Sequence, residues 1–224
     1  MADIGYVALF LALAVSVYSA IAFIYGVKRK HLALTRSARN GLLAVCGLVS
    51  ISVAILAYAL VTHNFQIEYV ASYSSSDMSL PYLISALWAG NDGSLLFWAW
   101  LLSLFVAVVV LQRRDAGKVL VPYASSIIMF TQVFFLILLV SVSNPFHKLA
   151  FTPAEGMGLN PMLENPGMIL HPPVLLAGYV GFTIPFAFAI AALLSRRLGD
   201  EWLITIRRWT LLAWLLLGIG NIIG

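Results

Sequence analysis

One histidine of this chain stands, braced by two prolines, where its side chain could bind a metal ion or a haem. His171 lies in the segment 165–173 (NPGMILHPP), which leads directly into an apolar run beginning at Val174. Pro172 and Pro173 have no backbone N–H, and a proline suits the first turn of a helix, so the pair holds the imidazole at a fixed exit from the loop. Neutral imidazole is the usual nitrogen ligand of haem iron. The segment is therefore compatible with an axial ligand, but residue type alone favours the alternative of an interfacial histidine that only hydrogen-bonds a loop carbonyl.

A second segment, 88–98 (WAGNDGSLLFW), combines residues that end a loop and begin a helix. Asp92 and Ser94 are residue types that cap helices, and tryptophans at both ends of the segment suit the aromatic belt of a membrane interface. The plainer interpretation is therefore a capped helix start with belt tryptophans. The functional alternative is a turn in which Gly90 and Gly93 let a flat macrocycle approach, with tryptophan faces such as that of Trp88 against it.

The remaining potential ligands are weaker. His31 falls in a basic loop, whereas His63 and His147 fall near the other end of the spans and could supply a second ligand, although a polar loop residue is the simpler interpretation. Three methionines share the loop with His171: Met157, Met162 and Met168. Methionine can ligate haem iron, but loop methionines usually pack. The sequence contains no glycine-rich phosphate loop, His-Glu-x-x-His motif or paired carboxylates.

Composition identifies the solvent of the fold as a bilayer. The chain is 62% hydrophobic and 10% charged, whereas soluble domains carry about 25% charged residues. The net charge of +4 does not indicate nucleic-acid binding, because the basic residues occupy short loops rather than one soluble face. The single Cys46 excludes an intrachain disulfide and a Cys-x-x-Cys motif. We therefore predict an all-α, polytopic membrane protein with one membrane domain over residues 1–224.

Six apolar stretches predict six transmembrane helices, because a chain in lipid must satisfy its own backbone hydrogen bonds. The stretches are roughly 4–27, 41–62, 94–111, 119–143, 174–195 and 209–223. The sixth is about 15 residues long, which is short for a full crossing, and we expect it to be cut off. Pro185 is expected to kink the fifth helix. No charged residue lies in the middle of a span, which argues against an ordinary proton or ion path.

Positive charge predicts the orientation. Twelve basic residues fall in the loops of one side: Lys28, Arg29, Lys30, Arg36, Arg39, Arg113, Arg114, Lys118, Arg196, Arg197, Arg207 and Arg208. The other side has only Lys148. By the positive-inside rule the twelve face the cytoplasm. The N-terminus and the long loops 63–93 and 144–173 are therefore predicted to lie outside, and His171 with them.

At these outer segments the chain resembles the haem lyase family of cytochrome c maturation, of the CcmF/NrfE type. The resemblance rests on 69–74 (YVASYS), on 88–98, on 160–182 and on 186–194 (FAFAIAALL), which occur in family order. The stretch from Pro166 to Ala192 is the most specific. Together these segments cover about 130 residues, from about 65 to 194.

The resemblance implies a function. Family members of the bacterial inner membrane receive haem from a membrane-anchored haem chaperone on the outer face and, with other maturation subunits, join its vinyl groups to the thiols of a Cys-x-x-Cys-His motif in apocytochrome c. His171 matches one axial ligand of that haem. The implied outer haem cleft includes Pro172 and Pro173 and the positions Trp88, Gly90, Asp92, Gly93 and Ser94. A second haem b lies within the membrane in the family.

The resemblance also implies that part of the site is elsewhere. The family continues into a tryptophan-rich WWD segment, the partner outer histidine and two histidines for the haem b, all expected beyond Gly224. The chain is thus expected to be an N-terminal fragment, a truncated product or one piece of a split lyase, inactive alone. Many relatives have histidine where Asn91 stands, so its role stays open.

Two other classes of function compete with this prediction. The chain could be a non-catalytic membrane subunit that scaffolds a maturation complex. It could also be a transporter, although the absence of mid-span charges and of internal symmetry counts against that class. A haem absorbance that depends on His171 would separate the first hypothesis from both.

Overall fold

The fold is a set of long helices, as composition predicts. A computed structural model describes residues 1–112, 119–197 and 199–224. In these ranges the α-helices are α1 (Ala2–Lys28), α2 (Leu32–Val61), α3 (Glu68–Tyr73), α4 (Leu80–Ser85), α5 (Asn91–Leu111), α6 (Val121–Ser141), α7 (Pro166–Ser195) and α8 (Glu201–Ile223). Six of them are long and apolar enough to cross a membrane. The prediction of an all-α protein with six spans is confirmed.

Several helices extend beyond the apolar stretches that predict them. α8 has 23 residues rather than about 15, so the prediction of a sixth span too short to cross is wrong. α7 begins at Pro166 instead of near 174, and α2 already includes Arg36 and Arg39. Helical backbone continues past the hydrocarbon region because polar residues at its ends can reach the interface. A hydropathy pattern therefore finds the lipid-facing part of a helix but not its ends.

Four helices form a closed group on which the others pack. α1 contacts α2 and α6, and α5 contacts the same two helices from the other side. Buried hydroxyl and amide groups connect these helices: Ser126 Oγ donates to the Ala20 carbonyl (2.7 Å) and Gln132 Nε2 to the Ala99 carbonyl (3.2 Å). α7 packs against α5 and α6, and α8 packs mainly against α7. The α7–α8 pair is thus an outer hairpin of the bundle.

Alternating helix directions give the bundle two different ends. We call the end with the α1–α2 and α7–α8 connections the basic end, and the opposite end, with Met1, residues 62–90 and 142–165 and Gly224, the capped end. The connections of the basic end carry Lys28, Arg29, Lys30, Arg196 and Arg197. Three residues of the predicted basic loop, Arg113, Arg114 and Lys118, lie outside the described residues.

The two long connections of the capped end form one unit. The backbone pairs in both directions, since the Glu68 nitrogen donates to the His147 carbonyl and the Leu149 nitrogen to the Gln66 carbonyl, each at 2.9 Å. Farther along, the Met157 nitrogen donates to the Ala71 carbonyl at 2.7 Å. These contacts tie residues 142–165 to α3, so the two connections cover the capped end together.

A carboxylate clamp fixes the tip of this cap. Glu155 Oε1 accepts a hydrogen bond from the Ser76 nitrogen (2.8 Å), and Oε2 accepts one from Ser76 Oγ (2.6 Å). The hydroxyl and amide donors of Ser76 stabilise the charged form and hold the pKa of Glu155 below its ordinary value of 4.5. The clamp therefore requires an ionised carboxylate.

The sign of this shift predicts how the cap responds to acid. Because the pKa is lower in the folded cap, the clamp contributes its full stabilisation above pH 4.5 and loses it as pH falls through the lowered value. At pH 7, Glu155→Gln should expose amides 74–80 to faster hydrogen exchange, whereas Glu164→Gln in the same connection should not. In wild type the same amides should show this faster exchange only below about pH 4.5, after correction for the pH dependence of the intrinsic exchange rates. Equal exchange in both variants would contradict the clamp.

Candidate functional site

His171 lies within a helix and not at its mouth. Asn165 is the N-cap of α7, and its Oδ1 accepts a hydrogen bond from the Met168 nitrogen at 3.2 Å. Pro166 occupies the first helical position, where a missing N–H costs nothing. His171 is therefore in the second turn and half-buried. This corrects the prediction that the loop continues to residue 173.

The two prolines after His171 consequently interrupt the hydrogen bonds of α7. In an α-helix the carbonyl of residue i accepts from the N–H of residue i+4, so Pro172 and Pro173 leave the carbonyls of Met168 and Ile169 without their usual donors. At Met168 a tertiary donor is present: Trp88 Nε1 donates to this carbonyl at 2.9 Å. The two segments singled out in the sequence thus meet, 80 residues apart along the chain.

A backbone carbonyl of α8 binds the imidazole. His171 Nδ1 lies 2.7 Å from the Gly220 carbonyl oxygen. Because a carbonyl only accepts, Nδ1 must carry the proton, and in the neutral ring the lone pair is then on Nε2. This is the arrangement of metal-binding histidines, in which the second nitrogen donates to a carbonyl or carboxylate and thereby fixes the tautomer.

Small residues bring α8 close enough for that hydrogen bond. A Cβ atom at Gly178 would lie 2.6 Å from the Leu217 nitrogen, and one at Gly220 would lie 2.9 Å from the Leu175 nitrogen. Real Cβ atoms do not approach backbone so closely, so both positions need glycine. Small residues commonly permit such approaches between membrane helices. The α7–α8 contact therefore sets the distance between His171 and Gly220.

A small cavity lies beside the imidazole. We call it the histidine cavity; its volume is about 240 Å³, and it is lined by Leu163, Asn165, Gly167, Met168, His171, Pro172, Ile223 and Gly224. One imidazole with a defined tautomer and a mostly apolar wall fit the edge of a haem. Among the described residues, no group of three or more His, Cys, Asp or Glu side chains could hold a metal ion. Among the lining residues of this cavity, His171 supplies the one imidazole.

The start of α5 differs from its predicted form. Gly90 is the N-cap, and Asp92, Gly93 and Ser94 all lie in the first turn, so capping by the Asp92 or Ser94 side chain is wrong. Ser94 Oγ instead donates to the Asn91 carbonyl at 3.0 Å. Helix dipoles favour an acid in the first turn, which suits Asp92. Asn91 is exposed at the surface.

The two glycines of this turn face the protein's own tyrosines. A side chain at Gly90 would overlap the Tyr73 ring, and one at Gly93 would overlap the Tyr69 hydroxyl. Tyr69 Oη donates to the Ala86 carbonyl at 2.8 Å and accepts from the Gly90 nitrogen at 3.0 Å. Burial raises the pKa of Tyr69 above its ordinary value of 10. Its neutral hydroxyl therefore holds the turn that presents Trp88.

Asp92 contributes to a different cavity. This tyrosine cavity has a volume of about 380 Å³ and is lined by Glu68, Tyr69, Ser72, Tyr73, Asp92, Val142, Asn144 and His147. His147 Nδ1 lies 2.7 Å from Glu68 Oε2. The structure thus brings Trp88 to α7 with His171, Pro172 and Pro173, while Asp92 lines a second cavity that does not include His171.

The other candidate ligands occupy separate places. His31 caps α2, accepting from the Leu34 nitrogen at 3.1 Å, and His63 follows the end of α2 with a positive φ of 52°. Met157 and Met162 are exposed, whereas Met168 lines the histidine cavity. Sequence reasoning missed Gly220, because its contribution is a backbone carbonyl, which leaves no side-chain signal. The glycines of α8 were the one available indication of a close approach.

Comparisons with known proteins agree on one family. A family model described as cytochrome C assembly protein matches residues 88–224. The cytochrome c-type biogenesis protein CcmF of Haemophilus influenzae is 36% identical over 225 residues, which cover 100% of this chain and 35% of that protein. CcmF of Escherichia coli K12 is 37% identical, with the same two coverages. NrfE of Haemophilus influenzae is 33% identical and covers 99% of this chain.

A solved structure has the same fold. The cytochrome c haem lyase CcmF superposes with a TM-score of 0.84 at 26% identity, over 98% of this chain and 34% of that chain. The match therefore covers nearly the whole chain. The chain spans about a third of the length of the relatives that it matches.

The Gly220 contact gives a matched pair of variants. Gly220→Ala should push Leu175 and α7 away, lowering stability by about 1–3 kcal/mol and mixing the tautomers of His171 in ¹⁵N spectra of nanodisc samples. Gly218→Ala lies in the same helix with nothing within 4 Å of its new Cβ, so stability should change by less than about 0.5 kcal/mol and Nδ1 should stay protonated. If Gly220→Ala kept the pure Nδ1–H tautomer, the carbonyl would not control the ring.

Proposed function

The chain belongs to the cytochrome c assembly protein family, and from this premise we propose that it is the N-terminal part of a membrane haem lyase. Its role lies in cytochrome c-type biogenesis, like that of its CcmF relatives. In the proposed function, His171 binds the iron of haem at the outer membrane face, and the chain takes part in attaching that haem to the Cys-x-x-Cys-His motif of apocytochrome c.

One observation carries the assignment of His171. The hydrogen bond from Nδ1 to the Gly220 carbonyl leaves the lone pair on Nε2, where an iron ligand needs it. A histidine that merely satisfied a loop carbonyl would not need to lie beside a cavity with an apolar wall. The imidazole is also held in the second turn of a capped helix, so its position is defined before any ligand arrives.

The other candidate residues act through this arrangement. Trp88, Pro172 and Pro173 fix the first turns of α7, and Gly90, Asp92, Gly93 and Ser94 form the turn of α5 that supports Trp88. A bound haem would supply iron for His171 and two vinyl groups, across each of which one cysteine S–H adds to form a thioether. The chain's own contribution is to bind and orient.

The rest of the lyase must come from elsewhere. The chain spans a third of its relatives' length, and His171 would be one of two protein ligands to a haem. Only 22% of the span in α8 is buried, against 39–44% in the other five long helices, which leaves an apolar face for further helices. We propose that the missing C-terminal lyase portion supplies the second ligand, and that a haem chaperone, apocytochrome c and other maturation subunits are partners.

Charge supports a periplasmic position for the capped end in the bacterial inner membrane. The capped end carries one lysine, Lys148, which pairs with Asp3. At the opposite end the lysines and arginines outnumber the aspartates and glutamates. The positive-inside rule then places the basic end in the cytoplasm. This orientation puts His171 on the side where apocytochrome c matures.

Thiol labelling tests the orientation. In a Cys46→Ser background, Met157→Cys places a thiol on the capped end and Leu32→Cys places one on the basic end, at residues that are 85% and 73% exposed. A membrane-impermeant maleimide added to spheroplasts should label the first variant, and the second only after lysis. The opposite pattern would place His171 in the cytoplasm and refute the proposed site.

A pair of histidine variants tests the ligand. In the chain co-expressed with its complementary lyase portion, His171→Ala should lower the bound haem by at least about tenfold, because loss of a mere outer-shell partner already costs 10–100-fold in affinity. External imidazole should restore the low-spin spectrum. His147→Ala removes a histidine of the same cap that pairs with Glu68, and haem should be retained. Unchanged haem in His171→Ala would refute the assignment.

The same measurement tests a second candidate function, that of a scaffold. Because the chain spans only a third of its relatives, it could scaffold the maturation complex without touching haem. In that case His171→Ala would leave the haem content unchanged while variants of the α7–α8 contact would still disturb assembly.

A further inference from the structure

We propose that Trp88 is a positioning residue for His171, because its indole N–H replaces the backbone donor that Pro172 removes from α7. The inference rests on the proposed function insofar as His171 binds haem. It assigns a role to the hydrogen bond that joins segment 88–98 to segment 165–173.

The carbonyl of Met168 is the centre of the argument. Without a donor at residue 172, this carbonyl would lose its helical hydrogen bond, and an unsatisfied carbonyl in a half-buried site is costly. The indole of Trp88 lies at 2.9 Å, within the range of a good N–H···O bond. Pro172 leaves the Met168 carbonyl without its helical donor, and the Trp88 indole donates to that carbonyl instead.

The donor itself is held rigidly. The Trp88 ring packs against Phe97 with centroids 5.3 Å apart, and the 3₁₀ turn Ala86–Trp88 is bound through the Tyr69 hydroxyl. An indole fixed in this way determines where the first turns of α7 lie. It does not simply follow them.

The imidazole is thereby constrained from two sides. Met168 and His171 are three residues apart and lie on the same face of α7, so the Trp88 bond acts one turn before the ring. The Gly220 carbonyl fixes the ring through Nδ1. Trp88 positions the backbone, Gly220 orients the side chain, and together they define where Nε2 presents its lone pair.

A double-mutant cycle tests this compensation. Trp88→Phe keeps an aromatic ring but removes the donor, and we expect haemin affinity to fall by about three- to tenfold, the range of hydrogen bonds between membrane segments. Pro172→Ala gives α7 its own donor for the Met168 carbonyl. In the Pro172→Ala background, Trp88→Phe should therefore cost less than about twofold, the mark of two residues that share one partner.

A second measurement needs no haem. Hydrogen exchange of the peptide 166–180 should accelerate in Trp88→Phe and return toward the Pro172→Ala rate in the double variant. Trp100→Phe is the control, since the Trp100 indole donates to Ser50 Oγ on α2 and not to α7, and its replacement should change neither measurement. Both measurements use the chain together with its complementary lyase portion.

The outcomes separate the two proposals. An equal loss of haemin affinity and an equal rise in exchange in both backgrounds would show that Trp88 acts only as packing, and would overturn the positioning role. If haemin does not bind, or binds regardless of His171, the proposed function fails. The exchange cycle then still decides whether Trp88 replaces the donor that Pro172 lacks.

Discussion

The site depends on one constraint, which is that a half-buried helix carbonyl needs a donor. Pro172 cannot supply one to Met168, so this carbonyl is paired only when Trp88 reaches it from another segment. Proline thereby converts a local hydrogen bond into a tertiary one. The consequence is that the start of α7 takes its final position from the cap, and the cap takes its position from Tyr69 and the first turn of α5.

Close packing between α7 and α8 is the second constraint on the position of His171. At Gly178 and Gly220 the α7–α8 hairpin approaches so closely that a methyl group would meet backbone atoms. This packing is what brings a carbonyl to 2.7 Å from the imidazole. In lipid, dispersion between helices takes the place of a hydrophobic driving force. The close packing of α7 and α8 therefore determines which nitrogen of His171 carries the proton.

Sequence predicted the parts of this protein that depend on average composition. Six spans and the charge asymmetry follow from transfer energies that sum over many residues, and the spans are confirmed. The motif around His171 indicates a candidate ligand, and that assignment stays a prediction. The sequence did not predict that α7 begins at Pro166, because the polar N-cap Asn165 and not hydropathy sets that boundary. Nor did it predict that Gly90 and Gly93 face tyrosines. In a sequence, a glycine that makes room for a ligand cannot be told from one that makes room for a tyrosine side chain.

The two hydrogen bonds that define the site join positions 80 and 49 residues apart. The Trp88 bond needs the cap, and the Gly220 bond needs both helices of the α7–α8 hairpin. The defined tautomer of the imidazole is thus a property of the folded hairpin. In a nascent chain with α8 still unformed, the Gly220 carbonyl does not yet fix the tautomer of His171. Iron binding through Nε2 would in turn favour the folded hairpin, since ligand bound to the native state alone stabilises it by mass action.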